Sequence, residues 1–207
     1  MPLPRFNKLD PDRRSDILTA AGTEFAERGF KGASYNRIIE RSGISKGAMY
    51  YYFADKDDLY QTVLSEAFTA WFSQVGFDVQ ADDARTFWLA CEELYQRSLR
   101  FVLADPISAQ LCISVAHSRG RHEPHPIVVE LDAQVHAAIE VLMVRGRELG
   151  AVRADLPSDL LVHATLALLD VGDLWLADHL NELGDDDVES TAAMLVGLHR
   201  RLLEPGA

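Results

Sequence analysis

Two short helical segments flank the turn Ser42-Gly43-Ile44-Ser45, and this arrangement constrains the fold more than any other feature of the chain. A glycine in such a turn ends the first helix, and Ser45 can cap the second. On a helix that starts at Ser45, the side chains separate onto two faces. The inward face is predicted to hold Met49, Tyr52 and Phe53, and the outward face Lys46, Gly47, Tyr50 and Tyr51. The pattern is typical of a helix-turn-helix.

The outward face of this helix has the chemistry of a DNA-reading surface. It carries a cation, a glycine that allows close backbone approach, and two rings whose hydroxyl groups can donate to phosphate oxygens. Lys46 lies near the helix start, where such helices reach base edges, and Ala48 could meet a thymine methyl group. The predicted DNA contacts on this helix are Ser45, Lys46, Gly47, Ala48, Tyr50 and Tyr51. Tyr52 is expected to pack inward rather than to contact DNA.

The flanking segments complete a three-helix unit. The first helix is predicted to begin after the N-cap Asp10, with Pro11 at its first position, and to end at Gly29. The second begins at Ser34. A fourth helix, capped by Asp55 and running to about Gln74, is predicted to link this unit to the rest of the chain.

Several unusual residues occur together in this unit. They are Gly29-Phe30, Ser34, Ile38, Gly43-Ile44-Ser45, the block from Tyr50 to Phe53, and Lys56. Over roughly residues 13–64 the chain therefore resembles the TetR family of bacterial transcriptional regulators. It departs from the family pattern at Ile39, where alanine is usual, and at Ala54, where proline is common. Both departures concern packing around the motif.

Phosphate contacts are predicted beside the recognition helix. Ser34 and Lys56 lie at the N-termini of the second and fourth helices, where free N–H groups and the helix dipole favour anions, and the resemblance implies the same role. Arg37 could touch backbone or base. A basic arm could include Arg5, Lys8, Arg13 and Arg14. For Arg37 and the arm, ordinary solvated surface charge is an equally good interpretation.

The charge distribution supports this orientation. The chain has a formal charge of −12, yet residues 1–58 hold 10 of the 20 Lys and Arg and 9 of the 32 Asp and Glu, a balance of +1, which leaves −13 for residues 59–207. No lysine follows Lys56. An acidic remainder would repel DNA and turn the N-terminal end toward the duplex. A merely solvated acidic surface explains the same numbers.

Beyond Gly76 the periodicity stays helical, so the predicted fold is all-α. Helices are expected near 84–104, 106–117, 127–149, 158–180 and 186–203, separated by Pro, Gly and Asp signals. The predicted division is a DNA-binding domain at residues 1–56 and a helical ligand-binding and dimerisation domain at residues 57–207.

The segments 158–180 and 186–203 are apolar around too much of their circumference for one core. In the TetR family the last two long helices form a four-helix bundle across a dimer axis, and these two segments match in position. Two recognition helices one turn of DNA apart also require a two-fold protein and a near-palindromic site. The resemblance therefore implies a homodimer.

The resemblance also implies a small-molecule pocket in the C-terminal part. The candidate ligand-binding residues are Trp88, Cys91, Tyr95, Asp170 and Trp175. For the aromatic members, plain core packing is the alternative. Asp170 and Asp173 interrupt an apolar helix. They can be interpreted either as partners in a salt bridge across the dimer or as groups that recognise a cationic ligand.

No cofactor or metal is expected. Cys91 and Cys112 lie in apolar helical segments that suit core packing, and His117, His122 and His125 lie in a Pro-Gly segment without a full zinc ligand set. No uninterrupted apolar run approaches about 18 residues and no secretory signal is present, so a cytoplasmic location is expected.

The sequence thus predicts a non-enzymatic, ligand-responsive regulator, in its simplest form a repressor released from a palindromic operator. Two alternatives stay open. One is a DNA-binding regulator without ligand control, acting as an activator or constitutive repressor. The other is a small helical enzyme or carrier, for which no catalytic constellation is found in the sequence.

Overall fold

The computed structural model of this chain describes residues 4–116, 123–180 and 182–206, and within them the fold is all-α, as predicted. The α-helices are α1 (Pro11–Gly32), α2 (Tyr35–Ser42), α3 (Lys46–Tyr52), α4 (Lys56–Val75), α5 (Ala84–Ala104), α6 (Pro106–Ala116), α7 (Pro126–Glu148), α8 (Ser158–His179) and α9 (Val188–Leu203). Single 3-10 turns lie at Phe6–Lys8 and Asp185–Asp187. Apart from the end of α1, the predicted helix limits are confirmed to within about two residues, the usual uncertainty of a helix boundary.

Side-chain caps set the starts of the first four helices. Asp10 accepts a hydrogen bond from the backbone N–H of Asp12 at 3.1 Å, with Pro11 at the first helical position. Ser34, Ser45 and Asp55 accept in the same way at α2, α3 and α4. Each cap satisfies a backbone N–H that has no partner inside the helix.

The end of α1 differs in detail from its prediction. Gly29 adopts φ 63° and ψ 174°, outside the helical region, yet the chain continues in helical turns to Gly32. Only glycine adopts such a positive φ without strain, so the regular part of α1 does stop at the predicted residue.

One hydrophobic core runs through the three-helix unit and into the rest of the chain. It includes Ile17, Phe25 and Met49 in the N-terminal helices and continues to Leu131 in α7 and Leu161 in α8. Helix α6 lies directly against α1. A Cβ built on Gly22 of α1 would stand 3.1 Å from Cγ2 of Ile107 in α6. The division at residue 56 therefore stays a prediction, because the core is continuous across it.

A second, smaller apolar cluster joins α5, α8 and α9. Its buried members are Leu99, Leu176, Val188, Ala192 and Leu195. This cluster fixes α8 and α9 beside α5 and leaves their opposite faces exposed.

Candidate nucleic-acid interface

The turn between α2 and α3 is built as the sequence predicts. Gly43 ends α2 in the left-handed conformation, at φ 65° and ψ 19°. A residue with a side chain would be strained there, so glycine is required. The hydroxyl of Ser45 then accepts a hydrogen bond from the N–H of Ala48 at 3.1 Å and starts α3. These two residues set the direction in which α3 leaves α2.

Helix α3 has one buried face and one exposed face. Met49 and the following Phe53 are completely buried, whereas Tyr50 and Tyr51 are 47% and 50% exposed. Lys46 and Gly47 are exposed beside them, and Ala48 is partly exposed. The predicted outward set is therefore brought together on a single surface, and Tyr52 is half-buried against the core as expected.

Both exposed tyrosines are oriented by neighbouring side chains. The ring of Tyr50 meets that of Tyr35 edge-on, with centroids 5.4 Å apart. The guanidinium of Arg5 lies 4.4 Å from the centroid of the Tyr51 ring, which is a cation–π contact. Arg5 thus adds positive charge directly beside the recognition helix.

The four residues of the suggested basic arm have different environments, and the arm stays a prediction, since Arg5, Lys8 and Arg13 are exposed and Arg14 is partly buried. Residues Phe6–Lys8 form a 3-10 turn that is packed on the helix-turn-helix, because the ring of Phe6 is completely buried. Arg14 pairs with Glu66 of α4, and Nη1 of Arg13 lies 3.7 Å from Asp16. Lys8 is exposed. Phe6 was not among the predicted residues, although its spacing of three residues from Leu9, just before the cap of α1, was an available signal.

Glu24 is a second residue at this site that was absent from the sequence-based prediction. It lies at the seventh position after Ile17 on the buried stripe of α1, and its side chain is completely buried. Its Oε1 atom accepts from the backbone N–H of Ser34 at 2.9 Å and from Nε and Nη2 of Arg37 at 3.0 and 2.7 Å. The Arg37 bond is the main reason that the pKa of Glu24 lies below its usual value, against the effect of burial. A charged residue on an apolar stripe was the signal.

Two further arginines surround the same carboxylate. Nε of Arg28 lies 3.6 Å from Oε1, and Nη1 of Arg41 lies 3.5 Å from Oε2 of Glu24. Arg41 also approaches the exposed Glu27 at 3.8 Å. We call Glu24, Arg28, Arg37 and Arg41 the α1–α2 charge cluster. The predicted contact residues Ser34 and Arg37 are therefore held together by a carboxylate of α1.

Lys56 has a different environment from the one predicted. Its ammonium group donates to the carbonyl oxygens of Phe30 and Ala33, at 2.7 and 3.1 Å, and lies 4.7 Å from the Phe30 ring centroid. These carbonyls close the last turn of α1, where a cation is favoured. Lys56 thus ties α4 to the end of α1, and a phosphate contact by the same ammonium stays a prediction.

A histidine connects the start of α7 to the start of α4. Nε2 of His125 lies 2.6 Å from Oδ1 of Asp57, while Nδ1 accepts from the N–H of Ile127 at 3.3 Å. The His125 ring also packs edge-on against Phe30 and Tyr60, at 4.9 and 5.1 Å. The hydrogen bond from His125 holds the pKa of Asp57 below its usual value. We call this contact the His125 latch.

The other two histidines named with His125 lie outside the described residues, at 117 and 122. Among the side chains the structure describes, no group of three or more His, Cys, Asp or Glu could hold a metal ion.

Two apolar cavities lie side by side within the C-terminal helices. The larger, of about 130 Å³, is enclosed by α4–α8; its walls include Phe68, Trp71, Tyr95, Ser98 and Asp173. The smaller, of about 70 Å³, is lined by residues that include Trp88, Cys91, Tyr95, Thr165 and His199. Leu94, Tyr95, Ile139 and Leu169 line both cavities.

The predicted ligand residues are only partly brought together. Trp88, Cys91 and Tyr95 line the cavities, whereas Asp170 and Trp175 are not among the residues that line either one. Asp173 does line the larger cavity. Trp175 instead packs on the small α5–α8–α9 cluster and stacks on His179 with centroids 4.4 Å apart. Burial raises the pKa of Tyr95 above its usual value, with a smaller effect from Asp173, so its hydroxyl remains a donor.

Both cysteines are free. Cys91 lines the smaller cavity and Cys112 the larger. Burial raises the pKa of each thiol to about 12, which keeps both protonated and poorly nucleophilic at neutral pH.

Helix α8 carries an exposed apolar stripe. Leu160, Val171 and Leu174 are each more than half exposed, and Ala164 and Ala167 lie between them at steps of three and four residues. Met194 and Leu198 are exposed apolar side chains on α9. Helix α8 is also long and apolar enough to cross a membrane, a test that core helices of soluble proteins pass as well, and 33% of its apolar window is buried.

Comparison with known proteins places these features in a family. Residues 17–63 match the model of bacterial regulatory proteins of the tetR family. The transcriptional repressor AcnR of Corynebacterium diphtheriae is 31% identical over 157 residues, which cover 72% of this chain and 73% of AcnR.

Two solved structures share the fold. A TetR family regulator from Chloroflexus aurantiacus covers 100% of both chains with a TM-score of 0.72 at 23% identity. The regulator FadR of Bacillus subtilis, solved in complex with stearoyl-CoA, covers 89% of this chain and 96% of its own, with a TM-score of 0.70 at 15% identity.

Proposed function

The chain belongs to the TetR family of bacterial regulatory proteins and is a DNA-binding transcriptional regulator, and from this premise we propose that it is a ligand-released repressor. It acts in the cytoplasm as a homodimer on a palindromic operator. A small molecule in the α4–α8 cavity lowers its affinity for DNA. The observation that carries the proposal is the single exposed surface of Lys46, Tyr50 and Tyr51 on a capped recognition helix.

The proposed DNA contacts divide by role. Lys46, at the first position of α3, reaches base edges in the major groove, while Gly47 and Ala48 are small enough to let the helix approach. Tyr50 and Tyr51 donate to phosphate oxygens from the same exposed surface. Ser45 orients α3 through its cap, and Ser34 and Arg37 contact the backbone from α2.

The dimer would form through the exposed stripe of α8 and the adjacent face of α9. Steps of three and four residues are the spacing with which helices pack side by side at a shallow angle. A contiguous apolar patch of this kind on a soluble protein marks an interaction site. A two-fold pairing would place two copies of α3 on one side of the assembly, as a palindromic site requires.

Ligand control would act through α4. Phe68 and Trp71 of this helix line the larger cavity, while Lys56 at its other end binds the carbonyls that close α1. The cavity of about 130 Å³ is smaller than the roughly 300–1,000 Å³ pockets that enclose drug-sized ligands. A ligand of that size would therefore displace α4 and the three-helix unit attached to it. FadR, with a similar fold, was solved with stearoyl-CoA.

The His125 latch would take part in the same coupling. It joins α7, which lines both cavities, to the first turn of α4. A displacement of α7 on ligand entry would break or strain this contact. A coupling of roughly 1–3 kcal/mol between the cavity and the DNA surface would change operator affinity about 5- to 150-fold.

The test is selection of bound duplexes from a random pool at near-physiological salt. The wild type should enrich a palindromic motif, Tyr50→Ala should bind weakly, and Lys46→Ala should relax the base preference within the motif. Arg85→Ala is the charge-matched control, since Arg85 is exposed at the start of α5, and it should enrich the wild-type motif. A folded wild type that enriches no motif would refute the operator proposal.

Ligand release needs a separate experiment, because a regulator without ligand control would pass the first one. The selected duplex becomes a probe for metabolite fractions that release the wild type. Gly172→Ala is the informative variant, since its Cβ would stand 3.1 Å from the Tyr95 hydroxyl that lines both cavities. Release that is equally strong in this variant would argue against the cavity as the binding site.

A further inference from the structure

The α1–α2 charge cluster offsets the unfavourable free energy of burying the Glu24 carboxylate. An isolated ionised carboxylate in an apolar environment is strongly unfavourable, so it must be paired or hydrogen-bonded. Glu24 is completely buried and receives three hydrogen bonds, one from Ser34 N–H and two from Arg37. Arg28 and Arg41 stand at ion-pair distance. The carboxylate therefore fixes groups of α2 in place from α1.

Arg37 binds Glu24 with only one edge of its guanidinium. Its Nε–H and one N–H of Nη2 point to Oε1. The guanidinium has five N–H donors, so the edge formed by Nη1 and the remaining N–H of Nη2 is left for another acceptor. The Arg37 side chain is 42% exposed. One guanidinium can thus hold the internal carboxylate and present a two-pronged donor outward, which suits a phosphate.

The same carboxylate changes the role of Ser34. The Ser34 N–H is one of the groups that was expected to meet a DNA phosphate, but it already donates to Glu24. Glu24 therefore occupies the anion position at the start of α2. The first helix of a helix-turn-helix crosses the DNA backbone, so a phosphate approaching α2 would meet the arginines rather than the Ser34 N–H.

Resting on the proposed function, we propose that Glu24 is a positioning residue for DNA binding. It holds Arg37, with Arg28 and Arg41 beside it, in the arrangement in which they meet backbone phosphates. Long arginine side chains lose rotamer freedom when they bind. Glu24 orders them before DNA arrives.

Glu24→Gln should change the affinity for DNA in the direction opposite to that expected from charge alone. Removing a negative charge near DNA raises affinity by charge alone. If Glu24 positions the arginines, Glu24→Gln should lower affinity although it makes the surface more positive. Glu27→Gln is the matched control, because Glu27 lies on the same helix, is 48% exposed and approaches Arg41. It should bind as tightly as the wild type or more tightly.

The experiment measures fluorescence anisotropy on a mixed-sequence duplex of about 20 base pairs, long enough for two recognition helices. Affinity is recorded over a series of salt concentrations for proteins that circular dichroism shows to be folded. Glu24→Gln should weaken binding on the order of tenfold, as expected when two of the three arginine side chains must be ordered during binding. Its salt slope should fall by about 0.9 for each phosphate that the arginines no longer neutralise.

Two further variants separate positioning from folding. In an Arg37→Ala background, Glu24→Gln should lower DNA affinity much less than it does in the wild type. An undiminished loss of affinity would mean that Glu24 has a purely structural role, and it would overturn the proposal. Arg37→Lys keeps the charge but lacks the second donor edge of the guanidinium, so it should weaken DNA binding. An affinity equal to that of the wild type would also overturn the proposal, and this test holds even if Glu24→Gln does not fold.

The remaining outcomes distinguish this inference from the function on which it rests. If the wild type binds DNA and Glu24→Gln binds it equally or more tightly, with an unchanged salt slope, then only the proposed role of Glu24 is refuted. A wild type that binds no duplex at any salt concentration refutes DNA binding itself and this inference with it.

Discussion

Phe6 should determine how firmly the recognition helix is held. Its completely buried ring lies 4.7 Å from the Phe53 ring centroid and 6.1 Å from that of Tyr52, and the Arg14 guanidinium covers it at 5.3 Å. Removing a buried phenylalanine typically costs about 3–5 kcal/mol. Because Phe6 belongs to a single 3-10 turn rather than to a long helix, we expect the lower value, about 3 kcal/mol, to apply to Phe6→Ala.

This destabilisation should be local, so the assay is hydrogen exchange followed by mass spectrometry. A local destabilisation of about 3 kcal/mol accelerates exchange by roughly 100-fold, since each 1.4 kcal/mol is a factor of ten. The acceleration should appear in residues 46–53 and be absent from residues 158–179. Operator affinity should fall in parallel, because α3 is no longer held against its core.

Asn7→Ala is the control, since Asn7 is exposed in the same 3-10 turn and should leave the exchange of α3 unchanged. Equal exchange of residues 46–53 in Phe6→Ala and wild type would show that the N-terminal segment does not support α3. Equal acceleration across α8 would show a global effect and refute the local mechanism.

Four other outcomes follow from the structure. Gly146→Ala should destabilise the fold by about 1–3 kcal/mol in chemical denaturation, because its Cβ would stand 2.5 Å from the side chain of Val152; an unchanged midpoint would mean that the site relaxes freely. Leu174→Arg should convert the dimer to monomers in analytical ultracentrifugation and abolish operator binding, and a variant that stays dimeric would place the interface elsewhere. Lys56→Met should lower the melting temperature because two carbonyl groups would be left without their donor, while a reduced salt slope of DNA binding would restore Lys56 as a phosphate ligand. The pKa of Asp57 is lowered in the folded protein, so the ionised carboxylate stabilises the fold above the ordinary carboxyl pKa, about 4, and this stabilisation is lost as the pH falls through the folded pKa. Asp57→Asn should therefore make the melting temperature depend less on pH in this acid range.

The helices could be predicted because their limits are set by local chemistry. Asp10, Ser34, Ser45 and Asp55 cap helices through hydrogen bonds to residues two or three positions away. The left-handed Gly43 is likewise a local requirement. Such contacts depend on spacing along the chain, so the sequence contains them. The outward surface of α3 follows from the same periodicity.

The charged groups were harder to place, because their partners are distant in sequence. Lys56 contacts carbonyls that lie 26 and 23 residues earlier. His125 meets Asp57 across 68 residues. Glu24 lies 13 residues before Arg37, and its burial is decided by the packing of α2 on α1. No periodicity shows which of many charged residues will meet, so these three contacts could not be predicted from the sequence.

The apolar stripe of α8 has a genetic consequence. The pairing proposed through Leu160, Val171 and Leu174 would leave the recognition helix outside the interface, because that helix lies in a different part of the chain. A chain with a defective α3 would therefore still pair with an intact one. Since a palindromic operator needs two working recognition helices, such a mixed pair would be inactive. Alleles that damage α3 should be dominant over the wild type, whereas alleles that damage the stripe should be recessive.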